Sequence, residues 1–204
     1  MLIIHKELFI LRMNNLKLKF ENIFNYYAKF HKAALDELFS LLDIKTIEQC
    51  SDIFIQDKPN SKDYFLLDGI LREYTIDKEG NDVTLNFYCK ESMITANFCR
   101  TNNSISMYSL QNLTPCTMGV IESSEIERMR MENKAFSDAS VMIITMLFKD
   151  KLQKQISHAT QTAKERLHQL RSDFPGLENF VPHPYIASYL GITNVSLSRL
   201  RKLK

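Results

Sequence analysis

The residues best equipped for chemistry sit at the end of the chain. Positions 193–204 hold four bases and no acid. A helix there, capped by Thr193, exposes Asn194, Val195, Ser196, Ser198, Arg199 and Lys202. Arginine pairs with guanine in the DNA major groove, asparagine pairs with adenine, and valine can touch a thymine methyl. Arg201, Lys202 and Lys204 are expected on phosphates, which supplies affinity without sequence preference.

Little else in the chain is reactive by pattern. His5, His31, His158, His168 and His183 make no metal-ligand spacing, and no Gly-x-Ser-x-Gly, His-Glu-x-x-His or glycine-rich phosphate loop occurs. Cys50, Cys89, Cys99 and Cys116 stand far apart, against zinc or iron–sulfur binding. Unpaired spacing fits a reducing cytosol. The expectation is no catalytic residue, no metal and no cofactor.

The elements that must position the basic face read clearly. Pro184 suits a helix start, Ile186 and Leu190 face a core, and Ala187 lets a second helix approach. Gly191 supplies the positive φ of a tight turn, and Ile192, Leu197 and Leu200 close the small core. Together these predict a helix-turn-helix over 181–202. A helical hairpin used for protein contact is the alternative, and the basic, small-polar outer face argues against it.

Upstream, apolar residues at spacings of three and four predict two helices within 16–42, broken near Phe30. Short alternating segments follow at 53–55, 64–67, 70–76, 83–88, 108–113 and 116–121. Asp68-Gly69 is a hairpin signal between two of them. Closely spaced strands without intervening helices predict an antiparallel roll. A short helix over 124–131 leads to a longer one beginning near Ser137, which is expected to cap it with Asp138 in its first turn. Ala139, Met142, Ile143, Met146, Leu147, Leu152 and Ile156 give that helix more apolar surface than one contact face uses. One side is expected on the roll and the other on a partner, or else the helix is buried within its own subunit. Thr162-x-x-Glu165 is a capping box for a further helix, stopped by Asp173-Phe174-Pro175-Gly176.

The fold class expected is α+β: an N-terminal antiparallel, jelly-roll-like β-roll over 14–132 with flanking helices, a long dimerisation helix over 133–158, and a helix-turn-helix domain over 159–204. The start lacks a basic opening and a cleavage site, so no signal peptide is expected, and Met13 is a possible alternative start. No stretch approaches the roughly 18 apolar residues of a membrane span. The net charge of +2 conceals a division: residues 149–204 carry ten Lys or Arg against four acids, and the rest of the chain carries sixteen against twenty. A basic module points to an anionic partner.

These residues resemble the Crp/Fnr family of transcription regulators over positions 30–204. The likeness rests on Tyr64-Phe65-Leu66-Leu67-Asp68-Gly69-Ile70-Leu71-Arg72-Glu73-Tyr74, on Asp77-Lys78-Glu79-Gly80 before Val83-Thr84-Leu85, and on Ala163-Lys164-Glu165-Arg166-Leu167. Its most specific part is Ile186-Ala187-Ser188-Tyr189-Leu190-Gly191-Ile192-Thr193 with Leu197-Ser198-Arg199. The resemblance implies a homodimer that binds double-stranded DNA at an inverted repeat, often contacts RNA polymerase, and answers a small-molecule effector. It places base reading on Asn194, Val195, Ser196 and Arg199.

Two departures stand out. Family members that bind cyclic nucleotides carry Gly-Glu and, further on, Arg-Ser or Arg-Thr. Here the matching positions read Thr95-Ala96-Asn97 and Ile105-Ser106, with Arg100 nearby. Ala96 cannot accept a ribose hydroxyl and Ile105 cannot neutralise a phosphate, so the expected effector is not cyclic AMP. The effector pocket expected by position comprises Thr95, Ala96, Asn97, Arg100 and Ser106. The second departure is that the β-hairpin wing usual in the family is absent or truncated after the second helix. The competing reading is a small-molecule-binding roll whose helical tail docks onto protein.

Overall fold

The computed structural model describes residues 2–27 (side chains from 7 to 26), 30–89, 91–95, 99–101 and 103–202. Among them are eight strands and seven α-helices. Two helices, α1 (Leu2–Tyr27) and α2 (Lys32–Ser40), precede the strands. The strands are β1 (Asp43–Ile47), β2 (Asp52–Phe54), β3 (Lys62–Asp68), β4 (Leu71–Ile76), β5 (Asp82–Tyr88), β6 (Ser92–Ile94), β7 (Ser109–Asn112) and β8 (Cys116–Glu122). They form two antiparallel four-stranded sheets, ordered β1-β8-β3-β6 and β2-β7-β4-β5, which face each other as a jelly-roll-like roll. The fold is α+β, as the alternation predicts.

Strand β3 explains how the roll is held. Tyr64 and Leu66 point into the roll interior with Leu71, Leu110 and Met118. Phe65 and Leu67 point the other way, beneath the helices. A strand covered on both faces reads as an unbroken apolar run, as Tyr64-Phe65-Leu66-Leu67 does. The helical cover comes from Phe20, Ile23 and Phe24 of α1 and Leu35 and Leu38 of α2. Phe20 meets Phe65 edge-on at 5.1 Å between ring centroids.

Gly69 turns β3 into β4 at φ +104°, where a Cβ would stand 2.6 Å from the Cys116 Cβ and 2.8 Å from the Pro115 carbonyl. Gly69→Ala should therefore lower stability by about 1–3 kcal/mol, from backbone strain plus overlap. Gly80, in the next hairpin at φ +83°, has open space around it. Gly80→Ala is expected to cost less. Urea denaturation of the two variants checks the order.

Helices α3 (Ser123–Glu132) and α4 (Lys134–Thr160) follow the roll, then α5 (Ala163–Asp173), a 3₁₀ turn (Leu177–Asn179), α6 (His183–Tyr189) and α7 (Asn194–Lys202). Helix α4 starts three residues before the expected Ser137. Asn133 caps it by accepting from Phe136 N at 3.0 Å, and Phe136 is then buried on the helical cluster. Asp138 instead pairs with Lys134 at 3.2 Å. Helix α1 also begins far upstream of the expected position 16, but Leu8, Phe9, Ile10 and Leu11 are exposed along it. Strands β1 and β6, at opposite edges of one sheet, were not among the predicted segments.

No helix among the described residues is long and apolar enough to cross a membrane.

Candidate nucleic-acid interface and effector cavity

The helix-turn-helix forms as its residues dictate. Pro184 lies in the first turn of α6. Gly191 adopts φ +65° between the helices, and the Thr193 hydroxyl caps α7 by accepting from Ser196 N at 3.2 Å. Ile186, Ala187, Leu190 and Leu197 are buried between α5, α6 and α7. The capping box of α5 is present in full: Thr162 accepts from Glu165 N, and the Glu165 carboxylate accepts from Thr162 N at 2.7 Å. Those bonds to Thr162 lower the Glu165 pKa below the usual carboxylate value.

Opposite Leu197, the face of α7 is open. Asn194, Val195, Ser198, Arg199 and Lys202 are exposed, Ser196 is half-buried, and Thr193 is exposed at the cap. The spacing of 194, 198 and 202 puts them on one line along the helix. Among the described residues Arg199 and Lys202 make no ion pair, whereas Arg201 does. It pairs with Glu178 at 3.2 Å and meets the His183 ring. Arg201 thus fastens α7 to the turn below it and is not the free phosphate contact that the sequence suggested. Lys204 lies outside the described residues.

Sequence reasoning passed over Arg166. From α5 its guanidinium donates to the Leu190 carbonyl at 2.8 and 3.1 Å and to the Gln161 carbonyl at 2.6 Å. It clamps the helix-turn-helix turn to the two-residue junction after α4. Its position after Lys164-Glu165 was the only signal.

The domain also docks on the roll. Arg72, 2% exposed, makes a bidentate pair with Asp82 at 2.7 and 2.6 Å. Its plane lies under the Tyr185 ring of α6, 3.6 Å from the centroid. Ser188 of α6 accepts from Thr84 N at 2.9 Å. Phe87 packs on Tyr189, 5.3 Å between ring centroids. Arg72 and Phe87 are register partners on β4 and β5, so they share the sheet face that the domain covers.

Beside this contact the same strands border a cavity of about 730 Å³. Its walls come from β5 (Asn86, Tyr88), from Thr95 just after β6, from α4 (Leu147, Lys151, Lys154, His158) and from the C-terminal helical domain (Leu170, Phe174, Tyr189). Glu73 is buried beside it, accepting from the Tyr88 hydroxyl at 2.7 Å and paired with Lys151 at 3.5 Å. Burial first, then Arg166 and Lys154, lower the His158 pKa below its usual value.

Of the expected effector residues, Thr95 lines this cavity. Ala96 and Asn97 lie outside the described residues. Arg100 turns away and donates to the Asn60 carbonyl at 2.7 Å. Ser106 bridges to Arg100 through the backbone and is buried, its hydroxyl without a hydrogen-bond partner among the described residues. Sequence reasoning missed Glu73, Asn86, Lys151 and Lys154. A faint signal existed: 147, 151, 154 and 158 continue the roll-facing line of Phe136, Ala139 and Ile143 along α4.

No family model matches the chain, and no curated protein matches it by sequence. Solved structures do. The chain is similar to FixK2 from Bradyrhizobium japonicum, with 15% identity over 78% of this chain and 82% of that one and a TM-score of 0.65. It is similar to the c-di-GMP-responsive global regulator CLP of Xanthomonas campestris, with 12% identity over 84% and 90% and a TM-score of 0.65. A protein from Eubacterium rectale assigned to the Crp/Fnr family of transcriptional regulators superimposes with a TM-score of 0.66, at 14% identity over 84% and 82%. The roll, the long helix and the helix-turn-helix together give this chain the fold of Crp/Fnr-type regulators.

Proposed function

We propose that the chain is a cytoplasmic, homodimeric, sequence-specific DNA-binding regulator of transcription and not an enzyme. Residues 14–132 serve as sensor, 133–158 as dimerisation helix and 159–204 as DNA-binding domain. The observation that carries the reading is the capped α7, whose unpaired Arg199 and Lys202 face outward from a domain held rigidly on the roll. Thr193, Asn194, Val195, Ser196, Ser198 and Arg199 meet base edges and the nearest backbone, and Lys202 meets phosphate. The face of α4 away from the roll supports the dimer: Val141, Phe148, Leu152 and Ile156 line it and are all exposed. A two-fold dimer sets the recognition helices about 34 Å apart, which calls for an inverted repeat. RNA polymerase is a further partner of this reading. The chain responds to a small molecule other than cyclic AMP, or to none.

Gel shifts with fragments from upstream of the protein's own coding region, at two salt concentrations, test the reading. Arg199→Ala should cost about 1–3 kcal/mol on the specific site and relax its sequence preference. Lys202→Ala should weaken all DNA similarly and flatten the salt dependence by about one unit. Equal loss on specific and random DNA for Arg199→Ala would refute its base-reading role.

A further inference from the structure

Lys154 is the odd group in the cavity. It stands half-buried on the inward line of α4, and its Nζ donates to the Asn86 side-chain oxygen at 2.6 Å. Asn86 is neutral, and no described carboxylate pairs with the ammonium. Glu73, the buried acid of this wall, is committed to Lys151 and the Tyr88 hydroxyl. Asp150 and Asp173 line the cavity but are exposed, and Asp173 accepts from Gln169 at 2.8 Å. Glu91 lines the cavity from the β5–β6 side and makes no ion pair with Lys154. Arg166 lines the far end and directs its guanidinium to the backbone carbonyls of Leu190 and Gln161.

Burial pushes the Lys154 pKa down, the sign of an ammonium short of a counter-charge. Burying a charge without a partner is costly, and an anion in the cavity would offset that cost. The surrounding wall is apolar and aromatic: Phe87, Tyr108, Leu147, Leu170, Phe174 and Tyr189. One uncommitted cation neutralises one negative charge, so a carboxylate fits better than a phosphate dianion. The volume lies within the range of small-molecule sites, roughly 300–1,000 Å³.

We propose that the cavity between β5–β6, α4 and the DNA-binding domain binds an apolar carboxylate, its carboxylate on Lys154 and Asn86 and its apolar body against Phe174 and Tyr189. This deepens the regulator reading and rests on it for its meaning: the ligand touches roll, long helix and DNA-binding domain at once. An acyl chain and an aromatic acid share this chemistry.

The test is calorimetric titration of the full chain with octanoate and 4-phenylbutyrate, beside octanamide, octyltrimethylammonium and cyclic AMP. At least one carboxylate should bind one per chain and about tenfold or more tighter than octanamide, and the stronger arm identifies acyl or aromatic. Lys154→Gln should abolish the preference for acid over amide, and Lys154→Arg should keep it. Equal binding of amide and acid, tighter binding of the cation or of cyclic AMP, an undiminished preference in Lys154→Gln, or no carboxylate binding overturns the proposal. Gel shifts on the same preparation keep the two readings apart. Protein that shifts DNA but ignores carboxylates defeats this inference alone, and protein that binds them without shifting DNA defeats the regulator reading alone.

Discussion

Phe148→Glu is expected to turn a dimer into monomers and to weaken binding to a two-half-site DNA by roughly 10²–10⁴-fold. That is the gain two linked binding modules have over one. Phe148 is 58% exposed and belongs to none of the three apolar clusters, so the subunit should fold unchanged. It lies on the line Val141, Thr145, Phe148, Leu152, Ile156, on the side of α4 away from Phe136, Ala139 and Ile143. Across a two-fold axis the same patch meets itself, so one substitution introduces two carboxylates into one apolar seam. Each would be desolvated without a partner. Sedimentation gives the oligomeric state and gel shift the affinity. A variant that stays dimeric would sink this face as the dimer seam, and a monomer that binds the full site as tightly as the parent would sink the need for a dimer in DNA binding.

The second large effect concerns the pair under the docked domain. Asp82→Ala should destabilise by about 3 kcal/mol, because it strands the buried Arg72 guanidinium with only Gln111 at 3.0 Å and Thr84 at 3.4 Å. Arg72→Met should cost less, about 1–2 kcal/mol, mostly the contacts with the Tyr185 and Tyr74 rings. The asymmetry follows from exposure: the Asp82 side chain is 37% exposed and finds water when left alone, whereas Arg72 cannot. The double variant should be more stable than Asp82→Ala alone. Urea midpoints decide it, and a costlier Arg72→Met would show that the stacking, not the charge pairing, holds the docked domain.

What was legible in the sequence depended on how local its cause is. The helix-turn-helix is fixed by Ala187, Gly191, Thr193 and Leu197, each acting within one or two helical turns, and its turn and cap follow that pattern. The two-sided burial of β3 is written in its unbroken apolar run. Strands β1 and β6 escaped because edge strands need less apolar alternation: Asp43-Ile44-Lys45-Thr46-Ile47 is mostly exposed, and Ser92-Met93-Ile94 is three residues long. Ser137, with Asp138 behind it, is the expected cap of α4. Burial of Phe136, whose ring meets Phe30 at 5.7 Å between centroids, selects Asn133 instead, through a contact more than a hundred residues apart in the chain. Arg72, Glu73 and Lys154 carried no local signal of their roles, since their partners Asp82, Tyr185, Tyr88 and Asn86 come together only in the folded chain.

The bond from Thr84 N to Ser188 has a further consequence. Strand β5 is the last strand of its sheet, and its outer amides are the kind that recruit strands from other molecules. Helix α6 lies along that rim, occupying one amide and covering Phe87. The domain read here as the DNA-binding part is thus also a guard against aggregation. A roll cut free of it would expose a sticky strand edge, so the two parts of the chain depend on each other for solubility.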